Sequence, residues 1–221
     1  MIGVIIPAHD EEHAIAACLG AVLIAGASPQ LRWEPVQVVV VLDDCTDRTG
    51  AVVRQCGVEC LSVQARNVGI ARAAGAQHLL AAGARWLAFT DADTLVAPDW
   101  LAAQLALDSD AVCGTVAVAD WGDYGDAMRR HYAATYTDAD GHRHIHGANL
   151  GVSADAYRRV GGFEPLTSSE DVALIAALAA SGASIAWSAA PRVLTSARKN
   201  FKAPDGFGAT LLRVEQQAAG C

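Results

Sequence analysis

The stretch Trp86-Leu87-Ala88-Phe89-Thr90-Asp91-Ala92-Asp93 decides the fold. Trp86 to Thr90 is a short apolar run that reads as a buried strand, and it leads directly into two acids one residue apart. Residues i and i+2 of an extended segment face the same side, so Asp91 and Asp93 can share a target. Two such carboxylates make a half-site for a hard divalent cation, Mn2+ or Mg2+, which takes oxygen ligands and often completes its shell with substrate phosphates. In open α/β sheets ligands sit at the carboxyl ends of strands, where this pair would lie. An acid-x-acid step alone is a weak signal. Its place after a strand, and its company, give it value.

Working outward, strands and helices alternate. Ile2 to Ile6 reads as a buried strand stopped by Pro7. Asp10 to Ala25 reads as a helix with Asp10-Glu11-Glu12 in its first turn, where acids favour the positive dipole end. Val36 to Leu42 is a valine-rich strand followed by Asp43-Asp44, and Thr46 to Gln55 suits a helix capped by Thr46. Val58 to Val63 is a third strand, and Val68 to Ala82 an alanine-rich helix ended by Gly83. Beyond the deciding stretch, Trp100 to Leu107 suggests a helix and Ala111 to Ala119 a strand. Doubly covered parallel strands read as near-continuous apolar runs, as these do, so the spacing predicts an α/β fold with helices on both faces.

After Asp120 the pattern changes. Trp121 to Gly141 is polar and helix-like, and His142 to Val152 reads as extended. Ser153 to Val160 makes a short helix stopped by Gly161-Gly162, and Ser169 to Ala180 another, with Ser169 as its cap. Ile185 to Trp187 and Val193 to Thr195 read as short strands, and Phe207 to Ala219 as a closing helix. No repeat or low-complexity linker divides the chain, so residues 1–221 are read as one unit.

Composition narrows the class. At 52% hydrophobic and 18% charged, the 221 residues can bury a sizeable core. A net charge of -8 argues against a nucleic-acid partner, which needs a basic face. Both lysines, Lys199 and Lys202, lie with Arg192 and Arg198 in a local basic stretch that would either meet a phosphate or stand solvated. The six cysteines have no zinc spacing and read as reduced, buried thiols. Met1 to Pro7 is too short and uncharged for a signal peptide, and no apolar stretch reaches about 18 residues, so no integral membrane segment is expected. These features predict a cytoplasmic enzyme.

Three segments would share one sheet edge: Pro7-Ala8-His9-Asp10-Glu11, Asp43-Asp44-Cys45-Thr46-Asp47 and Asp91-Ala92-Asp93. Their seven acids would repel one another without a cation or a hydrogen-bonding ligand. The competing reading is that Asp10, Thr46 and Asp47 serve as caps and first-turn acids. Arg66-Asn67-Val68-Gly69-Ile70-Ala71-Arg72 opens a helix, and Arg66 and Arg72 could reach a diphosphate there. His142, His144 and His146 alternate, which would put all three on one side of an extended segment as a metal site, or leave them as a polar loop leading into Gly147-Ala148-Asn149-Leu150.

In order and spacing, the segments at Pro7–Glu11, Asp43–Asp47, Asn67-Val68-Gly69, Asp91-Ala92-Asp93, Gly161-Gly162-Phe163 and Glu170-Asp171 resemble those of family 2 glycosyltransferases. Each motif is weak singly, and the likeness runs from Ile2 to about Arg198. It implies a GT-A type fold: a Rossmann-like, mostly parallel sheet flanked by helices, with a C-terminal acceptor-side lobe. About residues 1–119 would bind the nucleotide-sugar and about 120–221 would supply the acceptor side and base. The implied reaction is metal-dependent, inverting transfer of a hexose from a UDP- or GDP-type donor to an unidentified acceptor. Pro7, Ala8, His9 and Glu11 are similar to the first nucleotide-contacting loop, although the family usually has other residues at His9 and Asp10. Asp44, with Asp43, resembles the acid that reads the base. Arg66 and Asn67 resemble ribose or phosphate neighbours. Asp91, with Ala92 beside it, resembles the acid on the donor's ribose or sugar, and Asp93 the metal-ligating acid. Asp171 resembles the general base, preceded by Glu170. His146, Gly147 and Asn149 fall where the family lines its cleft, and Arg198 would clamp the diphosphate.

Three rivals compete. Asp91-Ala92-Asp93-Thr94 also resembles the first motif of haloacid-dehalogenase-type phosphohydrolases, with Asp91 as nucleophile. Three strands precede it, however, and no lysine lies between Thr94 and Glu170. A nucleotidyltransferase would need a glycine-rich basic loop after the first strand, where Ala8 to His13 is acidic. A non-catalytic nucleotide-sugar-binding module would have no need of both Asp93 and Asp171.

Overall fold

The computed structural model describes residues 1–118, 121–122, 124–166, 168–197 and 215. Its strands are β1 (Ile2–Ala8), β2 (Val36–Asp43), β3 (Glu59–Val63), β4 (Trp86–Phe89), β5 (Leu95–Val96), β6 (Ala111–Val118), β7 (Leu150–Ser153) and β8 (Ile185–Thr195). Its helices are α1 (Ile15–Gly26), α2 (Thr49–Gln55), α3 (Val68–Ala81), α4 (Trp100–Ala106), α5 (Asp126–Thr135), α6 (Ala154–Val160) and α7 (Glu170–Ala180). The strands form one sheet in the order β3-β2-β1-β4-β7-β6-β8-β5. β1 pairs in parallel with β2 and β4, and β2 with β3, so four strand ends face one edge. β7 is antiparallel to both β4 and β6, and it carries the C-terminal half into the same sheet.

Period-two alternation divides the core. Val4, Ile6, Val38, Val40 and Leu42 point to one face, against Ile15, Leu19 and Val22 of α1 and Trp100 and Leu101 of α4. Ile5, Val39, Val41, Leu87 and Phe89 point to the other, against Ala71, Ala76 and Leu79 of α3 and Leu174, Ile175 and Leu178 of α7. At Gly75 a Cβ would meet Ile5 at 2.6 Å, so α3 lies nearly flush on the sheet. This close packing brings the start of α3 to the carboxyl ends of β1, β2 and β4.

Several expectations shift. β1 continues through Pro7, which pairs with Val41 in register. Ile5 O accepts from Thr90 on the β4 side, and Pro7, two residues on, faces that same side beyond the end of β4. The missing N–H therefore interrupts no ladder. α1 starts at Ile15 rather than Asp10, because Asp10 adopts φ 51° and turns its carboxylate across to the next loop. For the same reason α2 starts at Thr49, and Thr46 does not cap it. The expected strands at 185–187 and 193–195 are one strand, β8, broken in register between Gly114↔Ser188 and Thr115↔Arg192. The extended piece expected over 142–152 is strand only from Leu150. Ser169 precedes α7 at φ 60° and makes no side-chain cap. The helix expected at Phe207 to Ala219 falls almost wholly outside the described residues.

Candidate active site

The loops leaving β1, β2 and β3 are bound to one another by carboxylates. Asp43, at the end of β2 and 4% exposed, accepts from three successive backbone N–H groups: Ala65 (2.8 Å), Arg66 (2.8 Å) and Asn67 (2.7 Å). Arg66 adopts φ 47°, so these donors form a concave anion nest that the Asp43 carboxylate fills. The nest delivers Asn67 as the cap of α3, its side chain accepting from Ile70 N–H at 3.0 Å. His9 Nδ1 lies 2.6 Å from the carbonyl of Asp43, which ties the β1 loop to the same point. Asp44 turns the other way at φ 50° and, half-buried, pairs with Arg66 Nε at 2.5 Å. Of the two adjacent acids, Asp43 is consumed by the backbone and Asp44 faces outward. Asp43 was expected to contact the base together with Asp44, but its carboxylate is occupied by these backbone groups.

Asp10 and Asp47 knit the same loops. Asp10 accepts from Thr46 N–H (2.7 Å) and Asp47 N–H (3.1 Å), and these bonds hold its carboxyl below the usual range. Asp47 accepts from Thr49 N–H (2.8 Å), Thr49 hydroxyl (2.5 Å) and Glu12 N–H (3.0 Å). Burial opposes its ionisation, but these bonds outweigh it and keep the carboxyl low. Asp10, Cys45 and Asp47 bring ligand atoms within 4.8 Å of one another, as a metal site would. Their bonds account for that proximity as loop stapling. Glu11 is 7% exposed, its N–H donating to Thr49 hydroxyl at 2.7 Å. Ala8 is buried, and its carbonyl accepts from the Cys45 thiol at 3.2 Å.

The second group sits where β4 ends. Arg72, on the inward face of α3, is 3% exposed. One of its amino groups donates to Asp91 Oδ1 at 2.6 Å and the other to Glu170 Oε1 at the start of α7. Burial disfavours the guanidinium charge, yet Asp91, Glu170 and Asp171 together raise its pKa. Burial likewise raises the Glu170 carboxyl, against the pull of Arg72. Asp171, next in sequence and partly exposed, accepts from Gly147 N–H at 2.7 Å through Oδ2 and from Val172 N–H at 2.8 Å through Oδ1. Gly147 has a packing reason to be glycine: a Cβ there would overlap the Arg72 guanidinium. Asp91 and Asp93 are partly exposed and Ala92 between them is buried, but the segment is a turn closed by Thr94 N–H donating to Asp91 O at 3.1 Å, not the extended continuation of β4 that was expected. Both charges reach the Cys18 thiol, which burial first and then these acids push up to about 12. Cys18 remains a thiol, donating to Asp91 O at 3.3 Å. Apart from the Cys18 thiol, the side chains here that could ligate a metal offer oxygen, which suits a hard cation such as Mg2+ or Mn2+.

The C-terminal arm departs from expectation. Asn149 is fully buried and saturated: its amide N–H groups donate to Thr115 O (2.7 Å) and Pro191 O (2.9 Å), and its oxygen accepts from Trp100 Nε1 (2.9 Å). It bridges β6, β8 and α4 inside the core and does not line a cleft. His146 lies 3.0 Å from the Tyr136 hydroxyl, and burial first, then His144 and His142, lower its pKa to about 3. The rings of His144 and Tyr136 stack with centroids 4.1 Å apart, and His142 Nδ1 accepts from the His144 backbone. The three histidines pack as a ladder of rings. Among the described residues they do not bring three ligand atoms together. Arg198 lies outside the described residues.

The fold therefore joins His9, Asp43, Asp44, Arg66 and Asn67 into one hydrogen-bonded group, and Asp91, Glu170, Asp171 and Gly147 into another. Arg72 was expected to reach a diphosphate, but its amino groups are committed to two carboxylates. Its pairing was readable in part: an arginine among Gly69, Ala71, Gly75 and Ala76 lies on the buried face of its helix, where a charge must be paired. Tyr136, which braces His146 and accepts from Val116 N–H at 2.8 Å, had no signal in sequence.

The sequence model described as Glycosyl transferase family 2 matches residues 3–161. No curated protein matches this chain by sequence. Solved structures do match in fold. S. aureus TarS 1-349, solved with UDP-GlcNAc, superposes with a TM-score of 0.71 at 15% identity, over 96% of this chain and 64% of that one. The mannosyltransferase PcManGT from Pyrobaculum calidifontis, solved with GDP-Man and Mn2+, gives 0.66 at 23% identity, over 90% and 57%. Glucosyl-3-phosphoglycerate synthase from Mycobacterium tuberculosis, solved with Mn2+, UDP and glucosyl-3-phosphoglycerate, gives 0.61 at 18% identity, over 90% and 72%. The chain thus spans 64% of TarS 1-349 and 57% of PcManGT.

Proposed function

This chain belongs to glycosyl transferase family 2, and we propose that it performs metal-dependent, inverting transfer of a hexose from a UDP- or GDP-type donor to an acceptor hydroxyl. One observation carries this reading. Asp91, which follows β4, and Glu170, which opens α7 beside Asp171, are joined through Arg72. One group is suited to the donor diphosphate and the other to the acceptor. In this reading residues 1–119 bind the donor, and residues 120–221 supply the acceptor side and the base.

Each residue has a defined task. Asp44 accepts the imino N–H of uracil or guanine, and its pairing with Arg66 holds it outward to do so. Arg66 and Asn67 border the ribose and phosphates at the start of α3, where the helix dipole favours anions. Asp91 receives the donor's ribose or sugar. Asp93, with Asp91, would hold Mn2+ or Mg2+, and the cation supplies neutralisation of the departing diphosphate. Asp171 takes the acceptor hydroxyl proton, as a general base must within hydrogen-bond reach of its target. Its Oδ2 is already aimed by Gly147 N–H, so the carboxylate is pre-positioned. A base opposite the leaving group requires in-line displacement, hence inversion. Among the described residues no helix is long and apolar enough to cross a membrane.

Calorimetric binding of UDP and GDP, each with and without Mn2+, tests this reading. Metal-dependent binding of one nucleotide supports it and selects the base. A folded protein that binds neither sinks it.

A further inference from the structure

We propose that Arg72 is a positioning residue that couples the donor-side acid Asp91 to the first turn of α7, and so links donor binding to the placement of Asp171. The inference rests on the roles given to Asp91 and Asp171 above. Arg72 touches no substrate in this proposal and acts through its two partners.

The guanidinium is buried and its two amino groups are divided between separate elements, Asp91 after β4 and Glu170 at the start of α7. Its Nε is buried and, among the described residues, has no hydrogen-bond partner. The hydrogen bonds that hold the side chain are those of its two amino groups to the two carboxylates. The guanidinium also lies 5.9 Å from the Phe163 ring and fits flush under Gly147. Gly147 in turn donates to Asp171. A displacement of the guanidinium therefore reaches Asp171 by two routes: through Glu170, its chain neighbour, and through Gly147, its hydrogen-bond donor. Two charged contacts on one planar fork transmit orientation, which a single point charge does not. When a donor or cation engages Asp91, the fork re-aims and α7 feels it.

The test is a double-mutant cycle read as affinity for UDP and GDP with Mn2+, by calorimetry, on variants whose folding is checked by circular dichroism. Arg72→Met is expected to weaken nucleotide binding by about tenfold or more, within the usual range of coupling between sites. Arg72→Lys should restore part of that loss, since its ammonium can pair with Asp91 but not with both acids. Glu170→Gln leaves the Arg72–Asp91 pair intact and lies on a different element from the donor acids. It is expected to change affinity several-fold in the wild-type background and less than about twofold beside Arg72→Met, because coupled residues are non-additive. Additive effects, or a folded Arg72→Met with wild-type affinity, overturn the proposal. If Arg72→Met does not fold, a cycle of Arg72→Lys and Glu170→Gln replaces it, and additivity there overturns the proposal equally. A wild-type protein that binds neither nucleotide overturns the parent reading and this one together. Wild-type binding with an additive cycle overturns only this one.

Discussion

Gly147 donates its backbone N–H to Asp171 Oδ2 at 2.7 Å while leaving the space that the Arg72 guanidinium occupies. One residue without a side chain thus aims the proposed base and admits the cation beside it. Asp171→Asn keeps the volume and removes the proton acceptor. It is expected to leave nucleotide affinity within about twofold and to lower transfer by about 100-fold or more, the usual scale for a lost general base. Transfer at the wild-type rate would show that Asp171 is not the base.

Asp93 is expected to carry the metal dependence of donor binding. Asp93→Ala should abolish the Mn2+-dependent part of UDP or GDP binding, and chelation of the wild-type protein should reproduce that loss. If Asp93→Ala binds nucleotide with undiminished Mn2+ dependence, the cation is held elsewhere.

Asp43 and Asp44 are neighbours with separable roles. Asp43→Ala would orphan the N–H groups of Ala65, Arg66 and Asn67. Part-buried hydrogen bonds to a charged acceptor are worth about 1.5–3 kcal/mol each, so the melting temperature should fall markedly. Asp44→Ala loses one half-exposed ion pair, and its melting temperature should barely move while affinity for the bound nucleotide falls. Thermal melts and nucleotide calorimetry on both variants would reveal any exchange of these roles.

Asn149→Ala should be a stability variant. It removes the partners of Trp100 Nε1, Thr115 O and Pro191 O in a fully buried site. A loss of about 3 kcal/mol or more is expected from those groups together, with nucleotide affinity of the folded protein unchanged. A stable Asn149→Ala with weakened donor binding would return Asn149 to the cleft.

His146 gives the stability a pH dependence of known sign. Its pKa is lowered to about 3, chiefly by burial, from an ordinary value of 6.5. The folded state therefore holds fewer protons on this group than the unfolded chain does. Its contribution is fully present above pH 6.5 and is lost as pH falls toward about 3. The slope for one such proton is at most about 1.4 kcal/mol per pH unit. Denaturant melts of His146→Gln, which keeps a hydrogen-bonding group toward Tyr136, should show a shallower decline between pH 6.5 and 4 than wild type. Identical slopes would mean that His146 titrates normally when folded.

The acid steps after the strands, the parallel alternation and the order of motifs were legible because each depends on local pattern. Apolar runs of strand length, followed by acids, read the same in any context. Helix starts were less legible. Asp10 and Thr46 carry the residue types of a first turn and a cap, yet they bond each other across two loops. Ser169 has the right type for a cap and the wrong backbone for one.

What the sequence determined by itself was the set of groups and the edge on which they meet: Asp44, Asp91 and Asp93 at the carboxyl ends of strands, and Glu170-Asp171 at the opening of a helix. Tertiary structure alone decided how those groups are used. It turned Asp43 inward to a nest made by residues 65–67 and Asp44 outward. It withdrew Asn149 into the core and set Arg72 between two carboxylates that are 79 positions apart in the chain. The reason is physical. A residue's chemistry is local, but whether a carboxylate or an amide is free depends on the donors and acceptors that distant segments bring to it, and burial makes those pairings obligatory.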